Sequence, residues 1–230
     1  MSNIWNSLID MQNYLINSFE KTGTEIQETG MEKFNHDGWV NRVWTSNDYR
    51  RAHIDIIDAR DTKGLWMMHC CVFPHVSSDG PIFGFDVIAG KNKMTGAFFD
   101  FSPTTNVDHE MIKIFGDYVS NLDWKREREL PEWAKAIFSK HMVAAGNINS
   151  LEEAAQVLEM VKDNVDYYLE EIGNTLGRSS DKIGASSQNN YAHFQKQNPH
   201  TPKTMTALGL DENDVKEFVE ICLFPELETK

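Results

Sequence analysis

Apolar residues recur at helical spacing near the start of the chain, with Ile4, Leu8, Met11 and Leu15 on one face and Trp5, Ile9 and Ile16 beside it. Residues 35–38 break that pattern. Short runs rich in β-branched, aromatic and sulfur-bearing residues follow at about 39–45, 52–58, 65–73, 82–89 and 94–101. Turn residues separate them at 61–64, 75–80 and 90–93. Connections this short predict an antiparallel meander, because a parallel crossover takes a dozen or more residues. Helical spacing returns after Pro103, over about 107–121, 131–144, 150–172 and 211–223. Ser150 before Leu151-Glu152-Glu153 has the form of an N-cap with an acidic first turn. Residues 173–190, GNTLGRSSDKIGASSQNN, carry no period and read as a long loop. The pattern predicts one α/β domain over 1–230, with a central antiparallel sheet covered by helices.

Charge and cysteine usage narrow the function classes. The 230 residues hold 22 Lys+Arg against 35 Asp+Glu, a net charge of −13. So acidic a chain is a poor nucleic-acid binder, since phosphate neutralisation needs dense Lys and Arg. No run approaches the roughly 20 apolar residues of a membrane span. The N-terminus has no basic segment followed by an apolar one, so no leader is expected. Three cysteines without framework spacing fit a reducing compartment. These features predict a soluble cytoplasmic protein with no membrane partner. There is no C-x-x-C, no G-x-G-x-x-G and no G-x-x-x-x-G-K-[ST], so no bound metal or nucleotide cofactor is expected. The charge is uneven: residues 41–104 hold seven basic and seven acidic residues, so the predicted sheet is neutral within an acidic chain.

The chemistry concentrates in one hairpin, LWMMHCCVFP paired with PIFGFDVIAG. Pro74 and Pro81 bracket the turn between them. Pairing symmetric about that turn sets His69 opposite Asp86. Side chains alternate, so Leu65, Met67, His69, Cys71 and Phe73 share a face with Ile82, Gly84, Asp86 and Ile88. The preceding strand, AHIDII, adds Asp55 to that face in one register and removes it after a one-residue slip. An Asp among Met, Phe and Ile loses hydration, which raises its pKa and lets it hold a proton at neutral pH. With a neighbouring His it can protonate a substrate that is gaining electrons. The alternative is a satisfied buried pair that only stiffens the sheet.

Other side chains have two readings each. His69, Cys70 and Cys71 could hold a metal, but adjacent strand residues point to opposite faces. Arg126 and Arg128 could bind a carboxylate bidentately, or pair with Glu127 and Glu129 on the surface. Lys203 in NPHTPKT could bind an anion or be a solvated loop residue. The tryptophans at 39, 44, 66, 124 and 133 are core or stacking platforms.

These residues carry a family resemblance. The segments RVWTSNDYRRAHID, MHCCVFPHVSSDGPIFGFDVIAG, FFDFSP, RELPEWAKAIFSKH, QNPHTPKTM and CLFPE run in order along most of the chain. Together they resemble a ferredoxin-dependent bilin reductase. The match is to the phycocyanobilin-forming branch, because both His69 and Asp86 are kept. The resemblance implies a three-layer α/β/α sandwich and a metal-free, flavin-free enzyme. It would bind biliverdin IXα between the sheet and the C-terminal helices and take single electrons from a reduced [2Fe-2S] ferredoxin. Asp86 carries over as central proton donor and His69 as its partner, with Arg128 and Lys203 at the bilin propionates. Two positions depart from the pattern. The H-x-E motif of phycocyanobilin-forming members is here His53-Ile54-Asp55, one methylene shorter. Phycoerythrobilin synthases have an Asp in the C-terminal loop where this chain has Asn198.

The expectation is a four-electron, radical reduction of biliverdin to phycoerythrobilin by a monomer, as in phage-encoded members of that branch, which would act in the host cytoplasm. The alternatives are phycocyanobilin as product, or a non-catalytic bilin carrier. Ferredoxin is acidic, so docking is expected on Arg50, Arg51, Lys63, Lys91 and Lys93 of the neutral block.

Overall fold

The computed structural model describes residues 4–106 and 108–228. Seven antiparallel strands pair in chain order: β1 (Thr24–Ile26), β2 (Trp39–Thr45), β3 (Tyr49–Ala59), β4 (Leu65–Pro74), β5 (Ile82–Gly90), β6 (Lys93–Ser102) and β7 (Val143–Ile148). Every neighbour in the sheet is a neighbour in sequence, which is the meander that the short turns predict. One layer of helices covers one face: α1 (Ile4–Thr22), α3 (Glu110–Val119) and α5 (Leu151–Glu171). The short helix α2 (Arg60–Lys63) sits in the β3–β4 turn, and α4 (Glu132–Lys135) precedes β7. The second layer contains α6 (Asp181–Gln195), α7 (His200–Leu208), α8 (Glu212–Glu217) and a π-helical stretch, Phe218–Leu223. The result is the three-layer α/β/α sandwich.

Alternation along the strands divides the core in two. Trp66, Met68, Cys70, Phe83, Phe85, Val87, Phe99 and Phe101 pack under α1, α3 and α5. Cys71, Phe73, Ile82 and Trp39 face the C-terminal layer, with Tyr191, Phe218, Cys222 and Phe224. Cys70 and Cys71 therefore lie in different cores, as adjacent strand residues must.

Three predicted elements differ. Residues 131–144 form only the single turn α4 before β7. The alanines of VAAGNI favour a helix by propensity, but the open edge of β6 captures them as a strand, from Met94↔Ile148 to Phe99↔Val143. Residues 173–190 are not a long loop: after a 3-10 turn at Ile172–Thr175 they enter α6, whose Ser180 caps it by accepting from the Ile183 amide. Its buried face is Gly184, Gln188, Tyr191, Ala192 and Gln195, helically spaced but mostly small or polar, so no hydrophobic period marks it. The segment around Lys203, read as a loop, is α7. Residue 107, where the predicted helix of 107–121 begins, lies outside the described residues, as do the first three residues, on which the expectation of no leader falls in part. No helix among the described residues is long and apolar enough to cross a membrane.

Candidate active site

The register of four adjacent strands places one polar row across the sheet. Asn41 pairs with Asp55, Asp55 with His69, His69 with Asp86, and Asp86 with Phe98. The favourable of the two β3–β4 registers is therefore the one adopted. Directly paired residues share a face, so the row looks towards the C-terminal layer.

That face is only partly covered. Leu65, Met67, His69, Gly84, Asp86, Ile88 and Phe98 are half-buried, while their strand neighbours on the opposite face are fully buried. The C-terminal helices leave a cleft over the middle of β4, β5 and β6. Asp86 is its accessible acid, with a side chain 45% exposed against 11% for His69.

Each member of the row has a different electrostatic setting. His69 Nδ1–H donates to Asp86 Oδ1 at 2.7 Å. Burial opposes a charge on His69, but the Asp86 carboxylate and this hydrogen bond outweigh it, with a further push from Cys71, and lift the imidazole to about 10. Burial also raises Asp55, to about 7, against the opposing pull of the Trp39 indole N–H and of His69. Trp39 Nε1 donates to Asp55 Oδ1 at 2.7 Å. His53 is driven well below its ordinary value by burial, then by the charges of Arg51 and His69, so it is neutral. Its Nε2–H donates to Asn41 Oδ1 at 2.9 Å, and its Nδ1 is buried without a partner. His69 Nε2 is likewise buried and unpartnered. A buried polar atom in that state costs about 1–3 kcal/mol, a standing incentive to meet a ligand.

The C-terminal segment closes over one end of the row. Phe224 stands edge-on to His69 with ring centroids 5.4 Å apart, and Phe218 packs on Trp39 at 5.0 Å. Arg51 ties this segment down, donating to the Cys222 carbonyl at 2.9 Å and to Glu28 at 2.7 Å.

Arg128 reaches the cleft rim from the edge of the sheet. Residues 126–128 pair alongside β7, with the Arg128 amide on the Ala144 carbonyl at 2.8 Å and the Gly146 amide on that of Arg126 at 2.8 Å. The side chain lies 5.6 Å from the Phe98 ring centroid and donates to the Thr95 carbonyl. It fits because Gly96 and Gly146, paired across β6 and β7, have no Cβ; one added to Gly146 would stand 2.8 Å from Arg128 Nε. Among the described residues Arg128 makes no ion pair with Glu127 or Glu129.

The other predicted residues lie apart from the row. Asn198 turns the chain into α7, its Oδ1 accepting from the His200 amide at 3.0 Å. Lys203 is exposed on α7 and lines a separate groove with Lys196, Lys216 and Val219. Arg50 and Arg51 leave the expected docking patch: Arg50 packs over Phe73 and donates to Gln188, and Arg51 is buried. They also sit at the Phe73 end of β3, whereas Lys63 and Lys91 flank the opposite end, where Leu65 pairs with Gly90.

Asn41 was not singled out from the sequence, while Trp39 was read only as core or stacking platform and Phe224 only as part of the CLFPE segment. Asn41 opposite Asp55 was within reach of a β2–β3 register argument. Phe224 was not, because no local pattern tells which part of the sheet a distant terminal segment covers.

A half-open apolar sheet face with a charged His, an exposed Asp and a proton-holding Asp is equipped to deliver protons to a bound, electron-accepting molecule. The family model for ferredoxin-dependent bilin reductase matches residues 3–225. The chain belongs to that family. This bilin reductase is therefore an oxidoreductase that works with ferredoxin. It is 27% identical over 192 residues to phycocyanobilin:ferredoxin oxidoreductase of Synechococcus sp. (strain CC9902), covering 80% of this chain and 74% of that one. A solved structure of PcyX is 34% identical with a TM-score of 0.73, covering 96% of the bilin reductase and 99% of PcyX. Phytochromobilin synthase from tomato, solved in complex with biliverdin, is 15% identical with a TM-score of 0.71 over 90% of this chain and 80% of that one; at that identity it shows a shared fold.

Proposed function

We propose that this bilin reductase reduces biliverdin IXα by four electrons to phycoerythrobilin, at the 15,16 double bond and the A-ring diene. Ferredoxin supplies electrons one at a time and the Asp55–His69–Asp86 row supplies protons to the radical intermediates. The observation that carries this reading is the row itself, which runs across an otherwise apolar face from buried Asp55 through His69 to Asp86, open to the cleft. Asp86, bonded to His69 and open to the cleft, is the proton donor. Arg128 at the rim is placed to meet a propionate, a planar carboxylate suited to a guanidinium. Lys203 serves the second propionate in this reading and Asn198 borders the A-ring side, both after movement of α7 towards the cleft.

The product assignment rests on Asp55. Its carboxyl holds a proton near neutrality, but its side chain is one methylene shorter than the Glu that assists exovinyl reduction in phycocyanobilin-forming members. Phycocyanobilin remains the second reading, because Asp55 is in the row at all, and a water between it and the vinyl group would restore the reach.

Anaerobic assay with biliverdin IXα and reduced ferredoxin, with chromatography of the product, tests both. Phycoerythrobilin is expected. Phycocyanobilin would overturn the product assignment, and bound but unchanged biliverdin would leave a carrier. Asp86→Asn is expected to retain binding and lose about 10²-fold or more in turnover, in line with loss of a general acid; wild-type turnover by that variant would remove Asp86 from the role.

A further inference from the structure

Four-electron reduction consumes four protons, so Asp86 must be refilled between steps, and a substrate seated on it blocks the water of the cleft. This requirement rests on the proposed reduction of biliverdin.

Tyr191 of α6 stands behind the row. Its hydroxyl lies against Gly84 on the row's face, where an added Cβ would come within 3.3 Å of it. Gly84 is two residues along β5 from Asp86 and pairs across the sheet with Asp100. Gln195 Nε2 donates to the Tyr191 oxygen at 2.7 Å, which leaves the tyrosine's own proton free to be given. Asp100 has no need of it: its two oxygens already accept from the Ser139 amide at 2.9 Å, the Ser139 hydroxyl at 2.5 Å and the Ser102 hydroxyl at 2.7 Å. Asp86 is different, because His69 holds Oδ1 and its second oxygen makes no hydrogen bond among the described residues. Tyr191 also lines a solvent-open cavity of about 280 Å³, with polar walls from Thr104, Ser186, Ser187 and Asn190. That volume and lining suit ordered water. Burial, with Cys71, Asp86 and Asp100 adding, keeps the phenol protonated far above neutrality, so it can pass a proton on but does not rest as a tyrosinate.

We propose that Tyr191 is a positioning residue for proton supply, refilling Asp86 from the polar cavity beneath α6 while substrate closes the cleft. When the His69–Asp86 pair gives its proton to the reduced substrate through Asp86, the Tyr191 hydroxyl returns one to the pair through an intervening water beside Gly84 and takes one at the same oxygen from cavity water. The tyrosine ends as it began, and all electrons come from ferredoxin.

The test is single-turnover spectroscopy of the biliverdin complex with reduced ferredoxin, in H₂O and D₂O. Tyr191→Phe keeps the ring packed on Phe73 and Phe138 and removes only the relay oxygen. It is expected to bind biliverdin within about two-fold of wild type and to make the first proton transfer normally, since the His69–Asp86 pair starts with its proton on the imidazole. The following steps are expected to slow by about ten-fold or more, with a larger solvent isotope effect. Asn190→Leu, which narrows the cavity and leaves Tyr191 in place, is expected to slow the same later steps. Wild-type rates in all steps for Tyr191→Phe would overturn the relay, and so would equal slowing of the first and later steps. Wild-type protein that binds biliverdin but does not reduce it would instead overturn the functional reading.

Discussion

Asp55 is the residue in the row whose protonation lies nearest to the neutral range. Raised from 3.8 to about 7, it binds more protons in the folded than in the unfolded chain between those values. Its contribution to stability is therefore full below about pH 4, declines as pH rises towards 7, and is constant above that. At about 1.4 kcal/mol per unit the decline is up to about 4 kcal/mol. Asp55→Asn is expected to remove that slope, which urea unfolding of both proteins at pH 4.5 and 7.5 would reveal as a difference between their stability changes. A step that needs the Asp55 proton is expected to slow as pH passes 7, and the Asn variant to lose that dependence. Asp55→Glu restores the missing methylene and is expected to move product towards phycocyanobilin, read by chromatography; an unchanged product would separate exovinyl reduction from carboxylate reach.

At the scale of elements, the strands and their register were legible because period-2 alternation and short turns leave few alternatives. His69 opposite Asp86 followed from symmetry about one turn. The Asp55 register did not, since the β3–β4 connection contains α2 and its length in the ladder is invisible to alternation. β7 and α6 were missed for a shared reason: neither shows its buried side as a hydrophobic period. The Gly96–Gly146 notch belongs here too. It exists only because β6 and β7 set two glycines opposite one another, and Arg128 lies in it. Gly146→Ala is expected to displace Arg128 and weaken biliverdin binding by about ten-fold, the scale of one charge-assisted hydrogen bond. Arg128→Ala should match it. Titration of bilin absorbance checks both, and tight binding by Arg128→Ala would remove the arginine from the substrate site.

Across the whole molecule, a net charge of −13 must be reconciled with an acidic electron donor. Lys63, Lys91 and Lys93 remain exposed at one end of the sheet, where the β3–β4 and β5–β6 turns meet. The half-buried stripe of Leu65, Met67 and Ile88 begins at that same end, so a ferredoxin docked there would stand at the mouth of the cleft. Lys91→Glu with Lys93→Glu is expected to lower kcat/KM for ferredoxin by about ten-fold at low salt, with the difference shrinking as ionic strength rises. Biliverdin affinity should not change. Equal loss at all ionic strengths would place docking elsewhere.

The sequence by itself determined the meander, the sides of the sheet, the His69–Asp86 pair and the family, because each depends on residue type at fixed short spacing. Only the tertiary structure decided which part of the sheet stays uncovered. It also decided that Asp55 joins the row, that Arg51 is a tie beneath the C-terminal segment, and that Tyr191 meets Gly84 from a helix more than a hundred residues away. Those outcomes depend on how distant elements pack, and burial and long-range approach set the charge states on which the chemistry rests.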